Sequence, residues 1–139
     1  MGYLGLVEAH VYGGNPEKAI AYADTAIRLS PSDPNMWGVL HYKASAYVRL
    51  DDFDRAIELF EKVCEFPSAQ YVPFATPAAL LVLRGREAEG RKALRNAQRL
   101  EPNLSIAVMK DVYGVSGDQP GTRTQRLLDA LRTAGLEEE

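Results

Sequence analysis

Three positions, Ala19, Ala56 and Gly90, anchor a pattern that recurs along most of this 139-residue chain. Four, seven and twelve residues after them stand Ala23, Ala26 and Pro31, then Phe60, Val63 and Ser68, then Leu94, Ala97 and Pro102. Twelve, nine and five residues before them stand Val7, His10 and Gly14, then Ala44, Tyr47 and Asp51, then Ala78, Leu81 and Gly85. The anchors lie 37 and 34 residues apart, so the chain holds three similar units with a slightly longer first junction. One such unit cannot bury its apolar face alone, and stacking of neighbours is the way repeats of this length complete a core.

The central unit, Trp37 to Ser68, shows what the repeat is made of. Leu40, Ala44 and Tyr47 fall three to four residues apart, Asp51 and Asp52 interrupt, and Ala56, Phe60 and Val63 resume the spacing. That periodicity predicts two amphipathic helices joined by a tight turn, a helical hairpin. Small side chains at Ala44 and Ala56 allow close backbone approach, with Tyr47 and Phe60 filling the space around them.

Punctuation between the units agrees. Gly14 ends the first helix of the first unit, and Pro16 suits the opening turn of the second. Asp33 is placed to cap the next helix with Pro34 at its first position. Pro77 lacks the N–H that a helix interior requires, so the third unit is expected either to kink or to begin its first helix there with Thr76 as the cap. After Pro102, Leu104, Ile106, Ala107, Met109 and Val112 predict a short helix ending near Gly114, followed by a glycine- and proline-rich loop. A last helix over about 122–134 carries Leu127, Leu128 and Leu131 on one face, and Gly135 stops it with Leu136 placed for the contact that accompanies a glycine cap. This helix is expected to cover the open end of the array. The acidic end, Glu137 to Glu139, is expected to fray into solvent.

Composition narrows the functional classes. A net charge of -3 and a pI near 5.4 leave no broad basic field for a phosphate backbone, which disfavours nucleic acid as a partner. The apolar run from Pro77 to Leu83 is far short of the roughly 20 residues that span a bilayer, so no membrane role is expected. The N-terminus lacks the pattern of a signal peptide, and the expectation is a cytoplasmic protein or an internal portion of a longer one. Cys64 is the single cysteine, which removes an intramolecular disulfide and any multi-cysteine zinc site; it reads as a small filler on the second helix of the central hairpin.

Chemistry-bearing constellations are missing. His10 and His41 sit in different units with no ligand partner at metal spacing, and no nucleophile motif accompanies either. Gly85 to Gly90 follows a helix and lacks the lysine followed by serine or threonine of a phosphate loop, so it reads as a turn. Asp51, Asp52 and Asp54 lack the twelve-residue loop and closing glutamate of a calcium site, and fit the start of a helix, where negative charge is favoured. No catalytic, cofactor or metal residue is assigned, and the chain is not expected to be an enzyme.

The period of 34 with its small-large-small pattern resembles the tetratricopeptide repeat, over about residues 3–104. The central unit matches best through Leu40, Ala44, Tyr47, Phe53, Ala56 and Phe60. Lys43, where the family usually has an apolar residue, and Gly90, where it usually has alanine, depart from the pattern. The resemblance implies an all-α array of three hairpins (about 3–33, 37–70 and 71–104), with a short helix, a loop and a capping helix over 105–139. It also implies a concave face lined by the first helices. The corresponding positions are Leu4, Glu8, Val11 and Tyr12; His41, Ser45, Val48 and Arg49; and Ala75, Ala79, Val82 and Leu83. From these, Glu8, Tyr12, His41, Ser45, Val48, Arg49, Ala79, Val82 and Leu83 form the candidate partner-binding groove. The lysine and asparagine cluster that grips a C-terminal carboxylate in chaperone-binding members has no counterpart. An apolar groove of this kind is either a binding site for a protein or peptide or is covered, by the C-terminal helix, by preceding repeats or by a second copy of the chain.

Residues 99–114, RLEPNLSIAVMKDVYG, and 126–139, RLLDALRTAGLEEE, resemble the closing pattern of bacterial proteins that join a class III adenylate or guanylate cyclase domain, or a winged-helix domain, to tetratricopeptide repeats. Leu127, Leu128, Leu131, Ala134, Gly135 and Leu136 carry that match. It implies a C-terminal regulatory or scaffolding part of a signalling protein, whose catalytic residues have no counterpart here and whose partner would be an upstream domain. The alternative is a stand-alone adaptor or chaperone gripping a peptide in the apolar groove.

Overall fold

The computed structural model describes residues 14–34, 36–66, 72–113 and 123–139. Among these the chain is all-helical, with seven helices: α1 (Pro16–Leu29), α2 (Met36–Arg49), α3 (Phe53–Val63), α4 (Val72–Leu83), α5 (Glu87–Leu100), α6 (Ile106–Tyr113) and α7 (Arg123–Ala134). Two compact units divide them, Met1–Ala69 and Gln70–Glu139. The expected first helix and the loop after Gly114 lie outside the described residues.

In the first unit, α2 packs against α1 on one side and α3 on the other. Gly14 holds φ 83, a left-handed conformation that costs glycine nothing, and the Asn15 side chain accepts from the Lys18 N–H at 3.4 Å with Pro16 at the opening of α1. Ala19, Ala23 and Ala26 form the buried face of α1 and share a core with Met36, Val39 and Ala46 of α2. Three alanines in that row keep the interface thin. Lys43 answers its place at the edge of this contact with an ion pair, its Nζ 2.6 Å from Asp24 Oδ1. The α2 helix starts at Met36, whose N–H donates to the Asp33 carbonyl, rather than at Pro34.

The α2–α3 hairpin turns on Asp51, which holds φ 59 at the repeat position where Gly14 and Gly85 stand with φ 83 and 81. Aspartate is among the few residues other than glycine that tolerate this conformation. Asp52 then caps α3, its Oδ1 accepting from the Arg55 N–H at 3.3 Å. Asp51 thus sets the turn and Asp52 the cap. Ala44, Ala56, Phe60 and Val63 are fully buried, and the Arg55 guanidinium lies 5.6 Å from the half-buried Tyr47 ring.

In the second unit, α4 runs without a break from Val72 to Leu83, through Pro77. The expected start at Pro77 with a Thr76 cap is therefore wrong. The helix begins a full turn earlier, and the Thr76 hydroxyl lies 3.2 Å from the Tyr113 hydroxyl of α6 instead. Residues Ala75 to Leu81 are all buried, which is the signature of a helix enclosed by neighbours. Those neighbours are α5 and α7. At Gly90 of α5, an added Cβ would stand 2.8 Å from Val82 Cγ2 and 2.9 Å from the Ala78 carbonyl oxygen. Close approach of α4 and α5 explains why glycine replaces alanine at this anchor.

Gly135, with φ 111, ends α7; its N–H donates to the Arg132 carbonyl, and the Leu136 N–H donates to the Leu131 carbonyl at 2.9 Å. That is a Schellman cap with its apolar contact supplied by buried Leu136 and Leu131. Beyond it, the acidic end is not loose. The Glu137 and Glu138 carbonyls accept from the Ile106 and Ala107 N–H groups at 2.8 and 3.0 Å, and the Glu138 carboxylate pairs with Arg132 at 2.7 Å. The tail satisfies two of the orphan donors at the start of α6, and Ser105 Oγ accepts a third from Val108 at 3.2 Å. The expectation of a frayed tail is corrected accordingly.

Candidate functional site

On α2, spacing of three to four residues sets His41, Ser45, Val48 and Arg49 along one side. They do different things. The His41 ring packs edge-on near Tyr42, with centroids 5.1 Å apart, and near Phe60 of α3 at 5.7 Å. Its Nδ1 is buried with no hydrogen-bond partner among the described residues, and burial pushes the imidazole down from 6.5 to about 4. At neutral pH the ring is uncharged and held by apolar neighbours, which makes it a packing group and a poor proton acceptor.

The Ser45 hydroxyl donates to the His41 carbonyl at 3.0 Å, a local bond within the helix. Val48 is buried, and Arg49 at the end of the helix is exposed. The surface that α2 offers is thus the Arg49 guanidinium with the partly exposed edges of His41 and Ser45.

The corresponding positions on α4 are spent on packing. Ala75 and Ala79 are fully buried in a helix against which α7 lies. Val82 and Leu83 are half-buried, and the Val82 methyl is directed at Gly90. Of the candidate groove, Ala79 has no exposed surface and Val82 is engaged with α5, while Glu8 and Tyr12, with Leu4, Val11 and His10, lie outside the described residues.

Nothing among the described residues assembles chemistry. No group of three His, Cys, Asp or Glu side chains could hold a metal ion, and no helix is long and apolar enough to cross a membrane. Cys64 caps the C-terminal end of α3, and its thiol is raised to about 11 by burial and by the carboxylates of Glu61 and Glu65. A thiol so disposed stays protonated and unreactive at neutral pH. The turn at Gly85 leads into a helix whose first turn holds Glu87 and Glu89, with Arg86 paired to Glu89, an arrangement hostile to phosphate. Sequence reasoning missed the Thr76–Tyr113 pair, whose members stand 37 residues apart with no local signal to link them.

The class defined by this architecture is a helical-hairpin repeat protein. The family model of the tetratricopeptide repeat matches residues 2–33 and 39–69, and the second match spans the α2–α3 hairpin. The chain is thus similar to that repeat over these residues, all within the first unit. No curated protein matches the chain closely enough to serve as a relative.

Proposed function

We propose that the chain is a non-catalytic tetratricopeptide module that binds a protein or peptide, with Arg49, His41 and Ser45 of α2 as its described contact surface. The observation that carries this reading is the family match over two repeats, the second of which holds α2 and its partly exposed side. The α4–α5 hairpin is read as a third, divergent repeat on the strength of its 34-residue register with α2–α3.

A displayed peptide library screened against wild-type protein, then retested on Arg49→Glu, measures the contact. Selected peptides should lose at least about tenfold in affinity, the cost of reversing a charge at a recognition surface. Equal binding to both proteins would remove α2 from the site. Val48→Asp is unsuited as a control, because Val48 is buried and the variant would lose its fold.

The closing segment, with Leu127, Leu128, Leu131 and Gly135, supports the narrower reading of a C-terminal regulatory or scaffolding part of a bacterial cyclase-type signalling protein, working in the cytoplasm. A reading frame that continues upstream into a cyclase domain would bear this out. A gene that starts at Met1 beside no such domain would favour the stand-alone adaptor.

A further inference from the structure

Offset by 34 residues, α3 and α5 occupy the same place in the repeat, and their outward rows carry opposite charge. Glu58 and Glu61 of α3, with Glu65 in the turn just after it, make the first row; on α5 the same positions are Lys92, Arg95 and Arg99. All six side chains are exposed. Spacing of three and four residues keeps the α5 row on one face over two turns, about 10 Å long, and Glu58 and Glu61 on one face of α3.

Glu58, Glu65, Lys92 and Arg95 form no ion pair among the described residues, whereas Arg86, Arg91 and Arg132 pair with Glu89, Glu87 and Asp129 close by in sequence. Arg99 is held in place by donating to Asn96 Oδ1 at 2.8 Å. The α3 row also makes itself felt locally, since Glu61 and Glu65 both act to raise the Cys64 thiol. In a chain with a net charge of only -3, an acidic excess on α3, where Lys62 stands beside the row, and a basic excess on α5 give each face a complement on another molecule of the same kind.

We propose that the basic outer face of α5 docks on the acidic outer face of α3 of a second copy of the chain. Their matching order along the chain sets Glu58 and Glu65 opposite Lys92 and Arg99. Single exposed ion pairs contribute little, but a row of them adds and also fixes register. A contact of one helix face on another is small, so the association is weak, rapidly reversible and sensitive to salt.

Sedimentation of the intact chain over a concentration series tests this. At about 20 mM salt the weight-average mass should rise above that of a monomer with concentration, and the association constant should fall at least about tenfold at about 300 mM, where the screening length has dropped from roughly 20 Å to roughly 6 Å. Lys92→Glu with Arg95→Glu should abolish association, as should Glu58→Lys with Glu65→Lys. Mixing the two variants should restore it, because each then presents the rows the other lacks. A monomer under all these conditions overturns the proposal, and so does an association that survives both charge reversals or fails to return in the mixture. Circular dichroism on each variant checks folding; should either variant unfold, Lys92→Gln with Arg95→Gln, which must weaken association, replaces it.

Discussion

The first helices of the second and third repeat units, α2 and α4, are built on one register and put it to different uses. His41, Ser45, Val48 and Arg49 on α2 correspond to Ala75, Ala79, Val82 and Leu83 on α4, each pair 34 residues apart. On α2 the polar members keep partial or full exposure. On α4 the alanines are fully buried and α7 lies against the helix. The difference shows that an apolar row in a repeat is not in itself an open groove. Ala75 and Ala79, small and apolar where α2 keeps His41 and Ser45, are buried in a helix that packs against the chain's own last helix.

The hairpin interiors should be alike even though the outer faces differ. Phe60→Ala, and Leu94→Ala at the same repeat position, should cost about 3 to 5 and 2 to 5 kcal/mol by opening fully enclosed cavities. A loss below about 1 kcal/mol for Phe60→Ala in chemical denaturation would contradict the packing described. The outer faces should then separate. Ala79→Asp buries an unpaired carboxylate and should cost about 3 kcal/mol or more, whereas Arg49→Glu, exposed in the last turn of α2, should cost about 1 kcal/mol through the helix dipole. Similar losses from both would erase the distinction between α2 and α4.

Gly90→Ala sharpens the comparison inside the hairpins, because Ala56 at the same repeat position is accommodated. The added methyl meets the Ala78 carbonyl at 2.9 Å, and backbone cannot swing aside as a side chain would, so a loss of about 1 to 3 kcal/mol is expected. A stabilised variant, the usual result of replacing a helical glycine, would show that α4 and α5 are less closely apposed.

His41 supplies a pH dependence that α4 lacks, since Ala75 stands in its place. Its folded pKa of about 4 lies below the ordinary 6.5, so in that interval the unfolded chain takes up a proton that the folded chain refuses. Its contribution is therefore intact above the ordinary value and declines as pH falls toward the folded value, by up to about 2 kcal/mol between about pH 7 and pH 5. His41→Gln should flatten that part of the stability profile in denaturation at the two pH values. An unchanged slope would mean that the imidazole is solvated in the folded chain.

What was legible in the sequence followed the local physics. Helix spacing, Pro16 at the opening of α1, the acidic start of α3, the Gly135 stop and the buried rows at Ala19, Ala56 and Leu94 all depend on residues within a turn or two of one another. The unread features join distant parts. The last residues reach α6 through backbone carbonyls, which leave no side-chain pattern. Tyr113 holds Thr76 across 37 residues. Pro77 misled because its missing donor is a local fact, while the burial of α4 on all sides, which outweighs it, is a tertiary one. For the candidate groove, the sequence sets His41, Ser45, Val48 and Arg49 along one side of α2 but carries no local signal that Ala75 and Ala79 on α4 are buried.

The central claim is that α7 closes α4. Amide hydrogen exchange on the intact chain tests it most directly, because elements that cover one another open together. The account predicts that amides of α4 from Ala79 to Leu83 and of α7 from Leu127 to Ala134 exchange with a common opening free energy and a common dependence on denaturant. Rapid, independent exchange across α7 while α4 stays protected would contradict it.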